Sequence, residues 1–180
     1  MINWDEFEHI HVIRKLKQIL ASWWNVDTIF TDERGYLKGF DKVKMTYANP
    51  GCAYLMQKDS AVDNLAEVVS KTLEDLRLSE NRYSIRKWDL AGFDVGIFPI
   101  WIDNDLVGAV VGLGFFKDFT PARATEVRER LAAFGASNEV IELTLAKSRT
   151  LDEDARAKFV SLVELTSQEI VTLHVEITQR

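Results

Sequence analysis

Residues able to do chemistry are sparse in this chain of 180 amino acids, and their spacing brings few of them together. His9 and His11 lie two apart on a helical stretch and so project to different faces. Neither a His-x-x-x-His nor a Cys-x-x-Cys spacing occurs, which removes the commonest metal frameworks. Cys52 is the sole cysteine. It forms no internal disulfide and no soft-metal site alone, and reads as a small buried residue. Asp103 and Asp105 flank Asn104 in a turn, where solvation is the ordinary state of such carboxylates. Gly112-Leu113-Gly114 has part of a phosphate-binding loop but lacks the third glycine and a following Lys-Ser/Thr. Metal, nucleophile and phosphate cradle are all missing as motifs, so the expectation is a binding protein without a catalytic site or a cofactor. A haem or metal sensor using a histidine or Cys52 remains an alternative.

The elements that position these residues follow from periodicity. Asp94 to Phe116 contains two β-branched and aromatic runs parted by Asp103-Asn104-Asp105, which predicts a central hairpin. Trp4 to Trp24 places Phe7, Ile10, Ile13, Leu16, Leu20 and Trp23 at helical spacing. Val26–Thr31 and Tyr36–Phe40 read as a hairpin around Asp32-Glu33-Arg34-Gly35. Pro50-Gly51 breaks the pattern before a short segment from Cys52 to Met56, and Ser60 to Leu78 forms a helix with Val62, Leu65, Val69, Leu73 and Leu76 on one face. Tyr83–Trp88 is a further strand. The order predicts an α+β fold, a PAS/GAF-like antiparallel five-stranded sheet with helices on one side.

Downstream the chain is helical. Thr120-Pro121 and Ser137 start two helices, and Thr150-Leu151-Asp152-Glu153 reads as a capping box for a third. In that third helix Phe159, Val163, Thr166, Ile170, Leu173 and Ile177 alternate by fours and threes, with β-branched residues at a, a pattern of parallel two-stranded coils. A homodimer helix is expected, with packing on its own domain as the alternative that Val160 and Leu162 allow. The division is a sensory core over 1–119 and C-terminal helices over 120–180.

Composition narrows the function class. Net charge is −6, the pI is near 5.1, and no Lys/Arg run occurs, which argues against direct nucleic-acid binding. The longest apolar run, Leu106–Phe116, falls short of the roughly 20 residues that span a bilayer, and the start lacks a secretion signal. A cytoplasmic location is expected.

Three stretches carry a resemblance: LKQILASWWNVDTIFTDERGYL, CAYLMQKD from Cys52 to Asp59, and GFDVGIFPIWIDNDLVGAVVGLGFF. The chain resembles a PocR-type sensory domain, a PAS-like module that precedes histidine kinases, sigma-54 activators and other bacterial output domains. The resemblance implies an input domain for simple hydrocarbon derivatives, with a fused or partner output domain. Family members often have a Cys before the Cys52 position and a Cys-His pair before the central strand. Here Arg86-Lys87-Trp88-Asp89 stands there, so a metal or redox role in relatives would be lost.

Ligand sites are mostly apolar with a few placed polar groups. The candidates for lining one beneath the helices are Tyr54, Met56, Tyr83, Trp88, Phe93, Phe98 and Trp101, each of which also reads as plain core. Trp88 leads, since Trp88-Asp89 pairs a large apolar plate with a carboxylate. Phe98 and Ile100 point opposite to Pro99 and Trp101, so only one pair faces a pocket. Gly108, Gly112 and Gly114 signal a close approach by a helix, backbone or ligand.

Overall fold

The computed structural model describes residues 2–4, 10–39 and 45–179. His9, Phe7 and the expected helix between Trp4 and Ile10 fall at least partly outside them.

Helix α1, His11–Trp24, buries Ile13, Leu16, Leu20 and Trp24 and ends at Asn25, whose φ of 52° is the left-handed stop that Asn tolerates. The apolar face closes on Trp24; the Trp23 expected there is 58% exposed. Strands β1, Asp27–Asp32, and β2, Leu37–Lys38, form the first hairpin; of the expected Tyr36–Phe40 strand, Tyr36 and Gly39 flank β2 and Phe40 lies outside the described residues. Pro50 does not interrupt structure: it opens α2, Pro50–Leu55, where its missing N–H costs nothing, and the Asn49 side chain caps Gly51 and Cys52. Helix α3 spans Asp59–Arg77, and β3 spans Ser84–Lys87. Strands β4, Asp94–Ile102, and β5, Asp105–Phe116, meet through Asp103-Asn104, with Asp103 at φ 55°.

The sheet order is β2-β1-β5-β4-β3, with each of these neighbours antiparallel, as PAS and GAF sensors arrange theirs. Gly114 is the extra residue of a bulge between Asp94 and Val95, held at φ 87° where only glycine is unstrained.

Helices α4, Pro121–Ala133, and α5, Asn138–Lys147, start at Thr120 and Ser137, whose hydroxyls accept from Arg123 N and Val140 N. A two-residue strand β6, Arg149–Thr150, pairs parallel with Phe115 and Phe116. Thr150 therefore does not cap the last helix. Asp152 does, accepting from Ala155 N at 2.8 Å, and α6 runs Glu153–Thr178.

Helices cover both faces of the sheet, where the sequence pointed to one. On one face Val95, Ile97, Val111 and Leu113 pack with α2 and α3, in a core that includes Leu65, Val69 and Leu73 and also takes in Val127 and Ile141 of α4 and α5. On the other, Phe30, Phe98, Val110 and Phe115 pack with Leu20 and Trp24 of α1 and Phe159 and Val163 of α6. The glycines make room: a Cβ on Gly112 would stand 2.9 Å from the Phe159 ring, and one on Gly108 would strike Trp4 and the Thr31 carbonyl.

This placement corrects the expected dimer seam. Phe159, Val163, Thr166 and Ile170 are fully buried in their own chain, and Leu173 and Ile177 are half-buried against the same core. The four-three spacing is that of a helix laid on a sheet, and these side chains face no second copy over residues 159–170.

Candidate functional site

The seven expected ligand contacts do not converge. Met56, Trp88 and Phe93 are fully buried on the α3 face, whereas Phe98 belongs to the α6 face with Tyr83 stacked on it at 5.2 Å. Tyr54 is half-buried at the α2–α4 corner, its hydroxyl donating to the Phe134 carbonyl at 2.7 Å and the Lys58 ammonium 5.0 Å above its ring. Trp101 alone is open to solvent, at 39%. Trp88, the leading candidate, is consumed by structure. Its Nε1–H donates to Asn64 Oδ1 at 2.7 Å and its ring meets Phe93 edge-on, while Asp89 turns outward to Lys87.

A buried polar cluster lies where β1 meets α2. Asp27 accepts from the backbone N–H of Ala48 at 2.6 Å and of Asn49 at 3.0 Å. Burial pushes its carboxyl up to about 6, against the lowering effect of those bonds, of the Cys52 thiol and of Lys17. Asn49 donates to the Gly114 carbonyl and to Ser148 Oγ, tying α2 to β5 and to the segment before α6. The Cys52 thiol is fully buried, and burial first, then the charge of Asp27, pushes it well above its ordinary value. It is a poor nucleophile and a poor ligand. Among the described residues no three His, Cys, Asp or Glu side chains gather to hold a metal.

The open space lies at the sheet's edge. Strand β3 pairs only with Asp94 to Ile97, so among the described residues the outer edge of β4 from Phe98 to Ile102 has no strand partner. Beside this bare edge is a groove of about 850 Å³, within the range of small-molecule sites. Its floor is Phe98 to Trp101. One wall is the end of α3 and the following loop, with Leu76, Arg77 and Glu80; the other is α6, with Ser167, Gln168 and Val171. A second groove of about 1030 Å³ lies beside the β4–β5 turn, its lining a mixture of charged residues such as Asp32, Arg34 and Lys38 with apolar ones such as Trp4 and Leu106. Arg77 and Trp101 belong to both grooves and mark their junction.

No family model matches the chain, and neither a curated protein nor a solved structure shows significant similarity to it.

Sequence reasoning named Phe98 and Trp101 of this groove and missed the rest. Arg77, Glu80, Ser167 and Gln168 carry no motif, and only the fold brings α3, β4 and α6 together. Among the described residues no helix is long and apolar enough to cross a membrane.

Proposed function

We propose that this chain is a PocR-type sensory input domain of a bacterial signalling or transcription-regulatory protein. In this reading it binds a small, largely apolar metabolite in the β4-edge groove and performs no catalysis. The observation that supports it most is the shared wall: Ser167, Gln168 and Val171 of α6 face the same space as Phe98 to Trp101 and the end of α3. A ligand there touches the sheet and the last helix at once. It shifts α6 only by binding one helix position more tightly than another. The sheet order adds support by analogy of fold, which hosts many functions and proves none. A cytoplasmic location and an output domain, fused or separate, belong to the same reading.

The test is a thermal-shift screen of short-chain alcohols, diols, acids and amino acids on the wild type and on Ser167→Trp, which fills the groove. A ligand that raises Tm in the wild type and not in the variant supports the site. Absence of any stabilising ligand overturns it.

A ligand-free dimerisation module is the second reading, favoured by the outer face of α1 and α6, where Trp23 is 58% and Leu165 48% exposed. It predicts a dimer by light scattering that Leu165→Asp dissociates, with no response to metabolites.

A further inference from the structure

We infer that the groove takes a zwitterion, an apolar amino acid, with its carboxylate on Arg77, its ammonium on Glu80 and its side chain along Trp101. This deepens the proposed function and rests on the β4-edge groove being the ligand site.

The inference comes from charge balance. Four charged side chains line the groove: Arg77, Glu80, Arg82 and Glu164. Arg82 and Glu164 are paired at 2.9 Å and so neutralise each other. Arg77 and Glu80 are exposed, and among the described residues neither makes an ion pair or a hydrogen bond, with each other or with any third group. Arg34 and Lys38 of the neighbouring groove are both engaged by Asp32, at 3.5 and 3.6 Å, so among the described residues Arg77 is the free cation at the junction.

One free cation and one free anion sit three residues apart on the same wall. A simple acid would satisfy Arg77 and meet repulsion from Glu80; a simple amine would do the reverse. An amino acid carries both charged groups on one carbon and answers both. Guanidinium suits a carboxylate because its planar fork gives two parallel N–H bonds. Ser79, Asn81, Ser167, Gln168 and Thr172 are uncharged polar members of the lining, and beside them Phe98 to Trp101 with Val171 form an apolar strip along which an apolar side chain can lie. Among the described residues β4 beyond Ile97 has no strand partner on its outer edge, where backbone carbonyls could meet an α-ammonium.

The experiment is calorimetric titration of the full chain with four probes of one shape: phenylalanine, 3-phenylpropionate, phenethylamine and 2-phenylethanol. Phenylalanine is expected to bind about tenfold more tightly than any of the other three. In Arg77→Gln its affinity should fall to that of the amine, and in Glu80→Gln to that of the acid. Both side chains are exposed, so neither variant threatens the fold.

Equal binding of 2-phenylethanol, or indifference to both substitutions, overturns the zwitterion and leaves the groove as the site. Silence of all four probes, with a metabolite that is not an amino acid binding in a Ser167-dependent way, does the same. If no metabolite of any class binds, the zwitterion and the sensory reading fall together.

Discussion

The two faces of the sheet are built from the same kinds of side chain and finished differently. The α3 face closes completely: Leu65, Val69, Trp88, Phe93 and Val111 are all fully buried, and the one indole N–H is satisfied by Asn64. The α6 face is as aromatic, with Phe98, Phe115 and Phe159 meeting at 5.3 to 5.9 Å, but it opens at one end where β3 stops short. Aromatic content therefore does not locate a ligand site. What marks the groove is the point where strands of unequal length leave a sheet edge uncovered.

The comparison predicts that both faces carry the fold equally. Trp88→Ala and Phe159→Ala should each cost about 3–5 kcal/mol in urea denaturation, as large aromatic truncations in packed cores do. A much smaller cost at Phe159 would mean that α6 is a loosely docked arm, and the symmetry between faces would fail.

Asp27 sharpens the comparison by pH. Its folded-state pKa, about 6, lies above its ordinary value of 3.8, so its stabilising contribution is complete below about 4 and is lost as pH rises through 6. Between pH 4 and pH 7 the wild type should lose up to about 3 kcal/mol relative to Asp27→Asn, read from denaturation midpoints at each pH. Parallel pH profiles would show that burial does not govern this carboxyl.

Smaller effects are expected at the open end. Trp101→Ala should change stability by less than about 1 kcal/mol while weakening whatever ligand raises Tm in the wild type. Leu165→Asp, on the outer surface of α6, should leave stability within about 0.5 kcal/mol, and light scattering then reports whether that surface holds a second copy.

Much of this was legible beforehand. Continuous β-branched and aromatic runs gave the β4–β5 hairpin, because strands covered on both faces are apolar throughout, and a period-3.6 run gave α3, because burial on one side imposes that repeat. The turn at Asp103-Asn104 showed in its residue types. The role of α6 did not, since apolar residues at alternating fours and threes serve a coiled-coil seam and a helix on a sheet alike. Trp88 was misleading because its sequence neighbour Asp89 points away while its real polar partner, Asn64, lies on another element. The groove was hidden for the same reason: its charged and polar members become neighbours only through tertiary packing.

The short strand β6 has a mechanical consequence. Its two rungs on Phe115 and Phe116, together with the bond from Leu151 N to the Phe116 carbonyl at 2.9 Å, clamp the chain immediately before α6. A helix of 26 residues is about 39 Å long, so α6 is a long rod whose start is fixed at Leu151. The groove bears on it at Ser167 to Val171, beyond the midpoint. By geometry alone, a tilt of about 5° about Leu151 would carry the far end through about 3 Å, more than half a helical turn, and Ser167 to Val171 through about 2 Å.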